Sequence, residues 1–236
     1  NQVLGRTNKY FLNFCKKIFC YSVQIKNFPE KFKNKIAIIN PLVTKEFYKL
    51  NLSIENKYKF NLLVVGGSQG ANIFDNNLKN SIVNIARKSK IKVIHQTNKE
   101  NISYLKDFYS QNDIENFIFS FDKNFIKIAQ EADLCITRAG ASTLAELSFL
   151  NVPFIAVPLP TSKDNHQYEN AKFYENKDCC WIIEQNCFEE KIEEVLTDIL
   201  DDKSNFFKKK KNLKKLNYHN SWINVNEKIL KSINEN

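Results

Sequence analysis

The residues of this chain that could do chemistry gather in two glycine-bearing turns and one polar loop. The first turn is Gly66-Gly67-Ser68-Gln69-Gly70-Ala71, and the second is Thr137-Arg138-Ala139-Gly140-Ala141-Ser142-Thr143-Leu144-Ala145-Glu146. Each follows an apolar run and opens a stretch with apolar residues at three- and four-residue spacing. A strand–turn–helix start leaves backbone N–H groups unclaimed and puts the positive end of a helix dipole beside them, which suits a phosphate. Glu146 stands one turn into its helix, where a carboxylate can accept hydrogen bonds from sugar hydroxyls. The same letters, Thr143-x-x-Glu146, also spell a capping box, an ordinary way to begin a helix. Four of the five glycines, Gly66, Gly67, Gly70 and Gly140, lie in these two turns. That concentration favours close backbone approach to a ligand over two plain tight turns. The polar loop, Asp164-Asn165-His166-Gln167-Tyr168-Glu169-Asn170-Ala171, follows Pro158-Leu159-Pro160. A helix N-cap at Asp164 or Asn165 explains one of its members but not His166, Gln167 and Asn170 together, so hydroxyl or phosphate recognition is expected there.

The elements that must position these residues follow from hydrophobic periodicity. Strands are expected at 59–65, 91–96, 116–121, 133–137, 153–158 and 180–184. Helical stretches are expected at 70–88, 99–111, 124–132, 143–151 and 166–177, with further helices after 188. Such alternation means an α/β fold, a doubly wound parallel sheet with right-handed crossovers. Its ligands lie at the carboxyl ends of the strands, the edge to which both turns and the polar loop belong. Before this region, Tyr10 to Phe19 suggests a helix, Ile18–Val23 an apolar strand with no evident partner, and Lys35–Ile39 another short strand ended by Asn40-Pro41. Residues 42–58 are polar and read as a linker. Trp222, Val225, Ile229 and Ile233 mark a final amphipathic helix over 221–236.

Composition narrows the chemistry. The 236 residues hold 43% hydrophobic and 26% charged residues, an ordinary globular balance. No apolar run approaches the ~18 residues of a membrane span. The chain contains no methionine and begins Asn1-Gln2-Val3, which points to a truncated chain. The six cysteines form no C-x-x-C pair and the three histidines are not at metal-ligand spacing, so reduced core cysteines of a cytosolic protein are expected and no metal or cofactor. The net charge of +9 is concentrated at Lys208-Lys209-Lys210-Lys211, Lys214 and Lys215. This run suits either anionic lipid headgroups or a solvated helix face. Nucleic-acid binding is not expected, because no recognised motif accompanies the charge. There is no Gly-Lys-Ser/Thr for a P-loop, no acidic residue ending the Val93–Asn98 strand for an NAD ribose, and no G-x-S-x-G elbow. A nucleotide held by phosphate contacts at one turn and ribose contacts at Glu146 remains.

These three motifs, in this order, resemble the donor half of the MurG family, bacterial UDP-N-acetylglucosamine transferases that turn lipid I into lipid II in peptidoglycan synthesis. Asn1 to Lys9 resembles the family's segment at the cleft between its two domains. The resemblance implies a GT-B glycosyltransferase. Residues 1–41 would be a remnant of the N-terminal acceptor domain, 42–58 the linker, 59–220 the UDP-sugar-binding Rossmann-like domain and 221–236 the C-terminal helix. It further implies that Ser68 meets the diphosphate, that Gln69 belongs to the UDP-GlcNAc site, and that Ala141, Ser142, Thr143, Leu144, Ala145 and Glu146 cradle the diphosphate, with Glu146 on the ribose. Gln167 would meet the sugar hydroxyls, Asn1 the cleft, and the backbone at Phe121-Asp122 the uracil. The expected partners are UDP-GlcNAc, lipid I through the missing domain, and the cytoplasmic face of the inner membrane as a peripheral contact. The catalytic base would lie in the missing domain. Three positions depart from the family pattern: Gln2 for glycine, Val43 for arginine and Asp122 for an apolar residue. A half-enzyme with a separate acceptor chain and a non-catalytic UDP-sugar-binding module are the alternative readings.

Overall fold

A computed structural model describes residues 1–50, 59–67, 72–120, 122 and 125–234. In chain order the strands are β1 (Ile18–Cys20), β2 (Ile36–Ile38), β3 (Phe60–Val65), β4 (Ile91–Gln96), β5 (Glu115–Phe119), β6 (Leu134–Thr137), β7 (Phe154–Ala156) and β8 (Cys180–Ile182). The α-helices are α1 (Arg6–Phe11), α2 (Asn72–Asn77), α3 (Lys79–Ala86), α4 (Ile102–Gln111), α5 (Phe125–Gln130), α6 (Ala141–Phe149), α7 (His166–Glu175), α8 (Phe188–Asp201), α9 (Lys203–Leu216) and α10 (Trp222–Asn234).

Six strands form one parallel sheet in the order β5-β4-β3-β6-β7-β8. The chain starts in the middle, at β3, winds outward to β5, then crosses back to β6 beside β3. The switch point therefore falls between β3 and β6, where an open α/β sheet leaves a crevice for a ligand. Strand β3 reads Phe-Asn-Leu-Leu-Val-Val and is buried on both faces, as a central parallel strand must be. Leu62 and Val64 face a core shared with Phe74, Leu78, Ile82, Leu105, Tyr109 and Phe188. Leu63 and Val65 face the other core, with Leu144, Leu147, Ala171, Phe173 and Leu213. One period-two strand thus separates two helical layers.

All six expected strands of this sheet are present. The single helix expected over 70–88 is broken at Leu78, which ends α2 and precedes α3. Helix α6 begins two residues before the expected start at 143. The apolar segment at Ile18 has a partner after all: β1 pairs in parallel with β2, Ile18 opposite Ile36. The helix expected through Phe19 ends at Phe11, before that strand. The first part of the expected linker is not free chain, because Phe47 is buried and its ring meets Phe149 of α6 edge-on, centroids 6.1 Å apart. Among the described residues no helix is long and apolar enough to cross a membrane.

Candidate functional site

The ends of β3 and β6 lie side by side: Val65 is in register with Thr137, and the Arg138 N–H donates to the Val65 carbonyl at 3.4 Å. Gly66 and Gly67 leave β3 at this edge, and Gly67 has φ +78°, a backbone state that favours glycine. Gly140 is different. Its φ of −67° suits any residue, and an added Cβ would meet only Thr143 Oγ1, at 3.9 Å. Glycine is a favoured N-cap residue, and the folded chain leaves open space around this one. Ser68, Gln69 and Phe121 lie outside the described residues.

Gly140 is the N-cap of α6 and supplies no side-chain cap. The first intrahelical bond is Leu144 N–H to the Gly140 carbonyl, 3.0 Å. The N–H groups of Ala141, Ser142 and Thr143 have no partner among the described residues, as a helix start dictates. The capping-box reading of Thr143 and Glu146 is therefore wrong: Thr143 sits inside the first turn, where its side chain cannot cap. Of the six residues expected to cradle a diphosphate, Leu144 and Ala145 are buried, and the Leu144 N–H is taken by the Gly140 carbonyl.

Glu146 is half-buried, and no hydrogen bond or ion pair holds its carboxylate among the described residues. Burial raises its pKa above the ordinary 4.5, with no neighbouring charge to offset it. A desolvated carboxylate left without a donor is costly to the folded chain, and a ligand hydroxyl would relieve that cost.

The polar loop turns out to be used mainly for building. Asn165, at the N-cap of α7, holds a left-handed conformation with φ 57° and makes no side-chain cap. His166 Nδ1 lies 2.9 Å from the Lys163 carbonyl. Buried Asn170 accepts from the Gln2 N–H at 2.9 Å and donates to the Ala139 carbonyl at 3.1 Å and to Asn1 Oδ1 at 3.2 Å. Asn170 thus pins the N-terminal segment to the turn before α6, a role that sequence reading missed. Gln167 is used by the fold at one end of its amide. Its Oε1 accepts from the Leu159 N–H at 2.9 Å, while its Nε2 has no partner among the described residues. Asn1, Gln2, Tyr21 and Ala141 line one small cleft, so the first residues of the chain reach the helix start. Asp122 is half-buried just after β5. Val43 is partly buried and packs against the hydrophobic core. A further groove, lined by Trp181, Val195 and Asp198, lies beside β8 and α8 and shares no residue with this crevice.

Arg138 also belongs to the scaffold. Its guanidinium donates to the Val157 carbonyl at 3.1 Å and to Gln185 Oε1 at 2.6 Å, and lies 5.5 Å from the Phe74 ring centroid. It ties the ends of β6 and β7 to the helix that follows β3. Asp75, on that helix, is buried. Its Oδ2 accepts from Thr97 Oγ1 at 2.6 Å and Asn101 Nδ2 at 2.8 Å. His95 Nε2 stands 3.1 Å from Asp75 Oδ1, off the line of a good hydrogen bond, and its Nδ1 is 3.3 Å from the Tyr109 hydroxyl. Burial alone would raise the Asp75 pKa, but the contacts from His95, Thr97 and Asn101 outweigh it and hold the carboxyl below 3.8.

Comparison with known proteins places this geometry. Residues 61–222 match the glycosyltransferase family 28 C-terminal domain. The chain is 49% identical, over 237 residues, to the UDP-N-acetylglucosamine--N-acetylmuramyl-(pentapeptide) pyrophosphoryl-undecaprenol N-acetylglucosamine transferase of Pelagibacter ubique, covering 100% of the chain and 67% of that relative. It is 37% identical to the Rickettsia canadensis protein of the same name, covering 92% of the chain and 65% of the relative. It therefore spans about two thirds of the length of these curated relatives. The crystal structure of Acinetobacter baumannii MurG superposes with a TM-score of 0.71 at 23% identity, covering 91% of this chain and 60% of that one, and shares the fold. The sheet is thus the doubly wound, Rossmann-like domain of a GT-B glycosyltransferase. The chain belongs to glycosyltransferase family 28, whose C-terminal domain it carries.

Proposed function

We propose that this chain binds UDP-N-acetylglucosamine and forms the donor side of the transferase that moves N-acetylglucosamine to the muramyl 4-hydroxyl of lipid I, giving lipid II. The observation that carries the reading is Glu146: a half-buried, unpartnered carboxylate one turn above three unclaimed N–H groups. In this reading the ribose hydroxyls donate to Glu146. The diphosphate faces the N–H groups of Ala141, Ser142 and Thr143, with Ser68 and Gln69 on its other side. Gln167 Nε2 donates to a sugar hydroxyl, Asn1 borders the cleft, and uracil lies by Phe121 and Asp122. Residues 1–41 close the first domain, 42–58 link, and 59–220 hold the nucleotide, followed by the helix of 221–236.

The chemistry is an inverting displacement. The acceptor hydroxyl forms a bond to the anomeric carbon and gives its proton to a base on the acceptor side, as the bond to the diphosphate oxygen breaks and UDP leaves with the electron pair. Negative charge grows on the leaving diphosphate, so fixed N–H donors at the α6 start bind the transition state more tightly than the ground state. The lipid-linked acceptor places the reaction at the cytoplasmic surface of the inner membrane, with this chain as a peripheral contact.

Calorimetric titration of UDP, UDP-GlcNAc and UDP-glucose into the wild type and Glu146→Ala tests the assignment. The expected result is UDP binding by the wild type, with UDP-GlcNAc preferred over UDP-glucose, and an affinity lower by about tenfold or more in the variant. Equal binding by both proteins would remove Glu146 from the site.

A further inference from the structure

Asn170 is 3% exposed, and the backbone dictates which way its amide points. The Gln2 N–H can only donate, so the atom 2.9 Å from it is Asn170 Oδ1. The Ala139 carbonyl can only accept, so the atom 3.1 Å from it is Asn170 Nδ2. That same Nδ2 lies 3.2 Å from the side chain of Asn1, and a donor there requires Asn1 to present its Oδ1. Constraint thus passes from two backbone groups, through a buried amide, to an exposed one. Asn1 Nδ2, the other end of that amide, has no partner among the described residues. It belongs to the cleft that Asn1 shares with Ala141 at the start of α6. The same segment is tied down a second time. Lys26 donates its N–H to the Gln2 carbonyl at 2.9 Å, and its Nζ pairs with Glu169 of α7 at 2.7 Å.

We propose that Asn170 is a positioning residue for recognition of the donor sugar: it locks the Asn1 amide so that Nδ2 faces the sugar and donates to one of its oxygens. This role rests on the donor-site reading above and adds to it the group that sets the orientation of Asn1. A staple for the fold needs only the two backbone anchors, Gln2 on one side of the joint and Ala139 on the other. The third bond goes to an exposed side chain, where it gives the fold little, because water satisfies an exposed amide in either orientation. Its consequence lies at the free end. An unrestrained amide turns over and offers a donor or an acceptor alike, whereas a locked one presents a donor only, with its ordering cost met before the ligand arrives.

The test is calorimetric titration of UDP and of UDP-GlcNAc into the wild type, Asn170→Ala, Asn1→Ala and the double variant. The quantity read is the ratio of the two affinities, in which any disturbance of the α6 start cancels because both ligands feel it. UDP binding in each variant shows that it has folded. Asn1→Ala and Asn170→Ala are each expected to lower the ratio of UDP-GlcNAc to UDP affinity about tenfold, and the double variant no further. A residue serving the fold alone would not act through Asn1, so an undiminished effect of Asn170→Ala in the Asn1→Ala background would overturn the proposal. Asn1→Asp tests the orientation with the buried amide intact, should Asn170→Ala fail to fold. It keeps an acceptor toward Asn170 and replaces the outward donor with an acceptor, so it is expected to lose as much as Asn1→Ala. A ratio equal to that of the wild type in Asn1→Asp would overturn the proposal. Wild-type UDP binding with unchanged ratios in the variants would remove this role alone, whereas no UDP binding by the wild type would overturn the donor-site reading and this role with it.

Discussion

Asp75 and Glu146 hold comparable places in the fold and have opposite surroundings. Each sits about one turn into the helix that follows one of two adjacent strands, β3 and β6, at the switch point of the sheet. Asp75 is buried, with Thr97, Asn101 and His95 gathered on it, and its pKa is lowered. Glu146 is half-buried without a partner among the described residues, and its pKa is raised. A carboxylate saturated by its own chain serves the fold. One that the chain desolvates and leaves unsatisfied is free to serve a ligand, which is the role proposed for Glu146.

The largest expected effect separates the two on stability. Asp75→Ala strands the Thr97 hydroxyl and the Asn101 amide without their acceptor and removes the carboxylate beside His95, and is expected to destabilise the chain by about 3 kcal/mol in urea unfolding. Glu146→Gln removes no internal contact and should shift stability by less than ~0.5 kcal/mol. An equal loss in both would erase the contrast.

Ligand affinity should divide them the other way. Glu146→Gln is expected to weaken UDP binding by about 2 kcal/mol, or some thirtyfold, in calorimetry at neutral pH.

The two glycines sharpen the same division at smaller cost. Gly67→Ala puts a side chain on a backbone at φ +78° and should cost about 1–2 kcal/mol of stability. Gly140→Ala meets no obstruction and should cost at most ~1 kcal/mol as a poorer N-cap. Its larger effect should be on UDP, with affinity falling about fivefold as the new methyl group intrudes on the phosphate's approach. Unchanged affinity would mean that no ligand comes close to that backbone.

The smallest effects are in pH. The Asp75 carboxyl ionises more readily in the folded chain than its ordinary 3.8, so its stabilisation is full above that value and fades as pH falls through the lowered one. Glu146 ionises less readily than its ordinary 4.5, so folding is penalised as pH rises from 4.5 through the raised value. Urea midpoints of the wild type relative to Glu146→Gln should therefore decline over that window. The ratio of their UDP affinities should rise over the same window, because only the ionised carboxylate accepts two hydroxyls. A flat ratio would separate Glu146 from the ligand.

Much of this architecture was legible in the chain. The alternation around β3, Leu62 and Val64 against Leu63 and Val65, announces a strand buried on both faces, and the first glycine turn marks where it ends. Less legible was which polar residues the fold keeps for itself. Asn170 and Gln167 look alike in a sequence of polar letters. Only the three-dimensional return of Gln2 and Ala139 shows that Asn170 is spent on positioning. Asp75 was missed for the same reason, since its partners Thr97 and Asn101 lie more than twenty residues away. Helix starts were misread by two residues at α6, because Thr143-x-x-Glu146 mimics a cap that Gly140 already provides through its backbone.

The most direct measurement is a double cycle: UDP and its 2′,3′-dideoxy analogue titrated against the wild type and Glu146→Ala. If the carboxylate grips the ribose, deleting both hydroxyls should weaken wild-type binding about tenfold or more and change the variant's binding little. An equal loss in both proteins would show that Glu146 does not touch the sugar, contradicting the nucleotide assignment on which the donor-site reading rests.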